Sequence, residues 1–185
     1  METMDAIAGR RSVRSFTDEA VTDDEVRQLL DAARRAPSWA NTQSWEFIVV
    51  RDRILIEKLT DTYSPTNPAR KCSASSSVII VACARTRHAG FRDGVQRTRY
   101  DSWHMFDLGL AVQNLCLRAH DLGLGSVIVG SLNHAACDEL LGVPDGFESI
   151  VAIPVGRPAV IAKDGPARRE LGECAHLNAF GSPFF

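Results

Sequence analysis

At 185 residues with a formal net charge of −2, the chain is long enough for a single domain with a real core, and it carries no global basic field for nucleic acid. Its longest uninterrupted apolar run, Val78 to Ala84, is too short to span a bilayer, and Met1–Asp5 lacks the cationic and apolar regions of a signal peptide. Five scattered cysteines (72, 83, 116, 137, 174), without a Cys-x-x-Cys or His-x-x-x-His spacing, argue against a disulfide framework or a zinc site, so a reduced cytoplasmic setting is expected.

In chain order, Ile7-Ala8-Gly9 closes a short apolar helix, and the packet Arg10-Arg11-Ser12-Val13-Arg14 follows. Three guanidiniums and a hydroxyl within five residues suit a phosphomonoester, because guanidinium is planar, permanently charged and forks onto phosphate oxygens. The same cations equally suit the negative end of a helix dipole in water, and the packet alone leaves both readings open. Thr22-Asp23-Asp24-Glu25 is a capping box, and Val26, Leu29, Leu30 and Ala33 recur with helical period until Pro37 stops the helix near Ala36. Trp45–Val50 reads as a strand. Asp52 caps a helix carrying Ile54, Leu55, Lys58 and Leu59. Residues 63–77, with two prolines and a serine run, read as a loop. Val78–Ala84, apolar on both faces, is the central strand.

Residues 85–101 are the least regular part, with Arg85, Arg87, Arg92, Arg97 and Arg99 interspersed with His88, Phe91 and Tyr100. A nucleic-acid surface uses such a mixture, but the chain's overall acidity favours a solvated excursion or a lid over a pocket, here 85–103. Trp103–Leu122 is a helix whose middle, Leu108–Leu117, bears no charge on any face and should be buried all round, under a second subunit or under the domain's own sheet. Leu122-Gly123-Leu124-Gly125 leads into a short buried strand or extended loop at Val127–Ser131. Asn133 caps a helix to Leu141, closed by Gly142 and Pro144. Phe147–Val155 is a further strand. The last stretch holds Arg168-Arg169, a helix with Leu171, Cys174 and Ala175, and an apolar terminus of Phe180, Phe184 and Phe185 that should pack on something, such as a partner chain. There is no internal repeat or linker, so residues 1–185 form one domain.

The opening packet, the turn Ala36-Pro37-Ser38-Trp39-Ala40-Asn41-Thr42-Gln43-Ser44-Trp45, the Leu122–Gly125 step and Ala152-Ile153-Pro154-Val155-Gly156 stand in an order and spacing that resemble the FMN-dependent nitroreductase family, from about Ile7 to Asn178. The resemblance implies an α+β fold with a central, mostly antiparallel sheet flanked by helices, and a homodimer with a long buried interface helix. It further implies FMN at the dimer interface and NADH or NADPH as electron donor. Position by position, it puts Arg10, Arg11 and Ser12 on the FMN phosphate and ribityl chain and Arg14 near the pyrimidine edge. Pro37, Ser38, Trp39 and Asn41 would line the ring, with Asn67 and Lys71 as the amide and lysine beside it. Val127, Ile128, Val129 and Gly130 would run their backbone along the ring and offer an amide to N5, and Arg168 or Arg169 would close on the phosphate. Trp39 departs from the small residue common there, Ser44 from a proline, and Val129 from an acidic residue.

The flavin would do the hard chemistry, so no side chain is expected as a catalytic acid, base or nucleophile. The five histidines show no nucleophile–base arrangement, and Gly123-Leu124-Gly125 lacks the third glycine of a dinucleotide fingerprint. The expected activity is hydride transfer from NAD(P)H through flavin N5 to a small-molecule acceptor such as a nitroaromatic, quinone or enone, in ping-pong order. Neither nucleic acid nor membrane is an expected partner. Specialised branches (flavin fragmentation, reductive dehalogenation), a flavin-binding sensor or store with little turnover, and a chain binding no flavin are the alternatives.

Overall fold

The apolar run at the middle of the chain becomes the centre of the sheet. In the computed structural model, which describes residues 1–160 and 165–185, strand β2 (Val78–Arg85) lies between β1 (Trp45–Val50) and β6 (Phe147–Gly156), and the two-residue β5 (Gly125–Ser126) flanks β6. Every pairing is antiparallel. Val78 to Ala84 is buried on both faces, and its pleat divides two cores. Val78, Ile80, Ala82 and Ala84 face one, with Leu29, Leu108 and Leu115; Ile79, Val81 and Cys83 face the other, with Ile56, Leu59 and Tyr63.

The helices are α1 (Thr3–Gly9), α2 (Asp23–Arg34), α3 (Arg53–Asp61), α4 (Arg70–Ser75), α5 (His104–Asp121) and α6 (His134–Leu141). The capping box of α2 forms as expected, with the Glu25 amide donating to Thr22 Oγ1 at 3.2 Å and the Thr22 amide to Glu25 Oε2 at 2.8 Å. Asp52 accepts from the Leu55 amide and Asn133 from the Ala136 amide, while Gly142 closes α6 in the left-handed region (φ 66°). Between β2 and α5 the excursion folds into a two-stranded ribbon, β3 (Phe91–Arg92) and β4 (Val95–Gln96), turned at Asp93-Gly94.

Two expectations need correction, and a third is met in part. Residues 63–77 are not all loop, for α4 occupies 70–75. The serine run that reads as a loop bonds back into the helix instead, Ser73 Oγ donating to the Ala69 carbonyl at 2.7 Å and Ser75 Oγ to that of Lys71 at 3.3 Å. Of the two covers expected for the uncharged middle of α5, the domain's own sheet supplies only part: Leu108, Ala111, Val112 and Leu115 are buried, but Gly109 and Gln113 are exposed within one chain, as are Met105 and Phe106 ahead of them. The tail forms only a single 3₁₀ turn, Leu171–Glu173, because no apolar stripe there is buried to hold a longer helix. Phe180, Phe184 and Phe185 are exposed, with Phe180 against the His176 ring and Phe184 edge-on to Phe185.

The segment after α1 runs as a strap along the β5 edge and the end of β6. Val13 donates its amide to the Ser126 carbonyl at 3.0 Å, Thr17 to Arg157 at 2.9 Å, and Ala159 returns an amide to Ser15 at 2.9 Å. Val13 and Phe16 pack where two side chains are missing: a Cβ on Gly125 would lie 2.7 Å from the Val13 Cβ, and one on Gly156 2.7 Å from the Phe16 Cγ. Gly156→Ala is therefore expected to cost about 1–3 kcal/mol in denaturant unfolding as Phe16 is forced aside. Gly172→Ala, in open space, should stay within about 0.5 kcal/mol. Equal effects would refute the packing account.

Candidate active site

Two clusters form, at opposite ends of the sheet. The first is built on the strap. Because Val13 points inward, the alternation of extended backbone turns Ser12 and Arg14 outward, and both are exposed. Arg10 caps the end of α1 and is half-buried. Arg11 folds back so that its guanidinium donates to the Ala8 and Arg10 carbonyls, while its Nε is buried with no hydrogen-bond partner among the described residues. None of these three arginines forms an ion pair among the described residues. By contrast Arg27, Arg34, Arg35, Arg51, Arg53, Arg70, Arg118 and Arg157 each lie within 4.0 Å of a carboxylate.

The segment after β5 continues this cluster. The Val127 and Val129 amides are engaged by the Pro154 and Ala152 carbonyls at 3.4 and 2.9 Å, and both side chains are buried. Ile128 and Gly130 are exposed, and among the described residues their amides meet no acceptor. Asn67 is clipped alongside: its Nδ2 donates to the Ser131 carbonyl at 3.4 Å, its Oδ1 accepts from the Ala69 amide at 2.9 Å, and the Ser64 and Ser131 hydroxyls meet at 2.6 Å. Lys71 is exposed on α4, one turn beyond. Burial pushes the neighbouring Cys72 thiol up, with the Ser73 hydroxyl and the Arg14 charge pulling against it. Contact thus runs continuously from the strap, through Ser126 and the 127–130 backbone, to Ser131, on which Asn67 is clipped.

The second cluster is the turn before β1. Ala40, Asn41 and Gln43 all sit at positive φ (47°, 56° and 46°), three strained residues in four. Ser38 holds the turn by accepting the Gln43 amide on its hydroxyl at 2.9 Å. Asp107, in the first turn of α5 and buried, accepts the Trp39 amide at 3.0 Å. Burial pushes the Asp107 carboxyl above the ordinary carboxylate range, against the pull of the Trp39 amide and of His104. His104 Nε2 in turn meets Glu148 Oε1 at 2.9 Å. Neither Asp107 nor His104 stands out in the sequence as a site residue. The available signal is an acid in the opening turn of a helix whose middle, Leu108–Leu117, bears no charge.

Trp45 pairs with Ala84 and Ala84 with Glu148, whereas Gly156 pairs with Gly125. Eight residues of β6 therefore separate the strap from the row of the turn, about 25 Å at strand rise, while the 127–130 backbone runs from the strap back along β6 as far as Ala152. Within one chain Pro37, Ser38, Trp39 and Asn41 cannot join Arg10–Arg14. Gly165 passes close to Arg11, and beyond it Arg168 and Arg169 are exposed, Arg168 turning its guanidinium to the Pro166 carbonyl at 3.0 Å. Among the described residues no group of His, Cys, Asp and Glu could hold a metal ion, and no helix is long and apolar enough to cross a membrane.

The profile described as the Nitroreductase family matches residues 7–157. This chain belongs to the nitroreductase family. An Archaeoglobus fulgidus protein, provisionally named an NADH dehydrogenase/NAD(P)H nitroreductase, is 33% identical over 161 residues, covering 85% of this chain and 86% of its own. A Vibrio harveyi NADPH-flavin oxidoreductase is 28% identical over 160 residues, 84% of this chain and 65% of its own. The crystal structure of a nitroreductase family protein from Clostridium novyi NT superposes with a TM-score of 0.76 at 27% identity, covering 100% of this chain and 97% of that one. The nitroreductase match ends before Arg168 and Arg169, and so takes in both clusters but not the late pair.

Asp107→Ala is expected to cost about 1–3 kcal/mol in denaturant unfolding, since the Trp39 amide loses its acceptor. Asp107→Asn keeps an oxygen there and tests the charge. An acid whose folded pKa is raised contributes stability at low pH that is lost as pH rises through the interval above the ordinary carboxylate value. The stability of Asp107→Asn relative to wild type should therefore improve across that interval; a flat difference would show that the Asp107 charge is not disfavoured by folding.

Proposed function

We propose that this nitroreductase-family chain is an NAD(P)H-dependent flavin oxidoreductase that holds FMN at the strap end of the sheet, acts as a homodimer, and reduces a small oxidised acceptor such as a nitroaromatic, quinone or enone. The observation that carries the reading is the outward face of the strap. There Arg10 and Arg14, without carboxylate partners among the described residues, flank the Ser12 hydroxyl beside the outward-facing backbone of Ile128 and Gly130.

That donor set fits FMN. Two guanidiniums and a hydroxyl suit a phosphomonoester and polyol, outward amides suit the polar edge of a planar heterocycle, and the buried Arg11 Nε is a further donor. The chemistry supplied with bound FMN is hydride exchange at N5, first from NAD(P)H and then to the acceptor in the same cavity. The chain's own part is positional and electrostatic. Arg10 and Ser12 anchor, Asn67 is pre-oriented by its contacts with Ser131 and Ala69, and Arg14 and Lys71 place positive charge where reduction adds electron density. Nucleophilic chemistry is disfavoured: burial pushes the Cys83 thiol up to about 12 and raises those of Cys72, Cys116 and Cys137.

The separation of the strap from the turn supports the homodimer reading. A ring lined by both the strap end and the Pro37–Asn41 turn takes its turn from a second copy, because the two ends of one sheet lie about 25 Å apart. Exposed Met105 and Phe106 on α5 and the exposed tail phenylalanines supply apolar surface for that contact. The 85–103 excursion adjoins the turn through Phe91 and Arg92, which supports a part for it in selecting the acceptor.

Under anaerobic conditions the visible flavin band of the purified protein should bleach on addition of NADPH and return with an acceptor. A band that persists would favour a sensor or store. Arg10→Ala or Arg14→Ala should weaken FMN binding about tenfold or more, as loss of a charge-assisted contact does. A colourless wild type that ignores added FMN would overturn the reading.

A further inference from the structure

We infer that Arg92 and Arg97, on one face of the β3–β4 ribbon, bind the ribose 2′-phosphate of NADPH and so set a preference for NADPH over NADH; this rests on the flavin oxidoreductase reading above. The excursion holds five arginines (85, 87, 92, 97, 99) against two aspartates (93 and 101) in a chain that is acidic overall. Among the described residues none of the five forms an ion pair, although eight arginines elsewhere do. Exposed arginines without a neighbouring acid keep their full hydrogen-bonding capacity for an anion from outside.

Register then selects two of the five. Arg92 pairs with Val95 and Phe91 with Gln96, while the Arg97 amide donates to the Gly90 carbonyl at 2.7 Å. Arg92 and Arg97 therefore project from the same face as diagonal neighbours, their Cβ atoms about 7–8 Å apart, a span two guanidiniums can close on one phosphate. The buried Phe91 belongs to the other face, with Arg87 stacked 5.3 Å from its ring centre. The ribbon is anchored rather than loose: Gly90 (φ 83°) leaves no room for a Cβ, which would lie 2.7 Å from Thr98 Oγ1 and 2.9 Å from the Trp103 Cβ at the start of α5.

Arg92 and Arg97 line a cavity of about 860 Å³ at the edge of the ribbon, together with Phe91 and Asp93 and with Trp39, Ala40 and Thr42 of the turn. That volume is within the usual range for a small-molecule site, on the order of 300–1,000 Å³. Its floor is the turn proposed to line the flavin, so an anion held there belongs to a molecule whose other end reaches the ring. The nucleotide that delivers hydride is such a molecule, and a phosphomonoester dianion matches two guanidiniums better than a singly charged carboxylate does.

The test uses the FMN-loaded protein and the variants Arg92→Gln, Arg97→Gln and the double variant, with Arg27→Gln on α2 as control. Calorimetric binding of 2′,5′-ADP should weaken about tenfold per arginine removed while that of 5′-AMP stays level. The apparent Kd for NADPH in anaerobic flavin bleaching should rise by the same factor, with NADH unchanged. Flavin content, read from the visible spectrum, should match wild type throughout, so loss of the colour itself would count against the flavin reading and not against this one. Equal loss for NADH and NADPH, or no change for either with full flavin content, would overturn the assignment. So would an effect confined to reoxidation by a carboxylate-bearing acceptor, which would move these arginines to the acceptor.

Discussion

The first cluster depends on two absent side chains. Gly125 and Gly156 leave room at the edge of the sheet for Val13 and Phe16, three residues apart on an extended strap, and a Cβ at either glycine would fall 2.7 Å from the side chain seated there. With Val13 inward, the alternation of extended backbone turns its neighbours Ser12 and Arg14 out. Arg157 ties the same region to α2. Its carbonyl accepts the Thr17 amide while its guanidinium spans Glu19 and Glu25 at 2.9 and 2.8 Å. Burial alone would raise the Glu25 carboxyl, yet the Thr22 amide and Arg157 hold it below its ordinary value. Strap, strand end and helix start are therefore one unit, and the outward arginines inherit its rigidity.

The second cluster is built by a different device. Three residues with side chains in the left-handed region cost of order 1–3 kcal/mol each, and such strain persists only where the surroundings over-determine it. Here a buried carboxylate from another element does so, with Asp107 taking the Trp39 amide while Ser38 takes that of Gln43. One end of the sheet thus presents fixed cations and the other a fixed, strained turn. The continuous burial of β2 between them makes their separation a rigid quantity. A two-fold axis that brings one end of each copy to the opposite end of the other yields two equal sites, which is the economy of an isologous contact.

Local signals were legible in the sequence and cross-chain ones were not. The α2 capping box, the bounds of β1 and the left-handed stop at Gly142 each depend on a few adjacent residues, and each stands where the pattern puts it. The serine run of α4 misleads because its hydroxyls bond within the helix, and propensity alone cannot show that Cys72 and Ser73 are buried. The uncharged middle of α5 indicates burial but not which faces remain open, since Met105 and Phe106 obey the same hydropathy as Leu108. Asp107 escapes notice for a related reason: its role is set by Trp39, sixty-eight positions away. The strap arginines are legible through resemblance, while the reason they face outward lies in Val13 meeting Gly125, a pairing only the fold discloses.

Charge placement connects these threads. A chain near neutrality could neutralise every arginine, and over α2, α3 and α5 it does so with neighbouring acids. The strap and the excursion are exempt among the described residues, and they lie beside the 127–130 backbone and beside the Trp39 turn. Leaving guanidiniums unpaired costs little in water, where exposed ion pairs are worth at most about 1 kcal/mol. It retains their full hydrogen-bonding capacity for an incoming phosphate. The buried thiols, raised by desolvation, and the acids already engaged in caps and clamps are poor candidates for covalent or proton chemistry. What remains free to act is cationic and fixed in position, which is what a redox site needs when the reactive atoms belong to its cofactor and not to the chain.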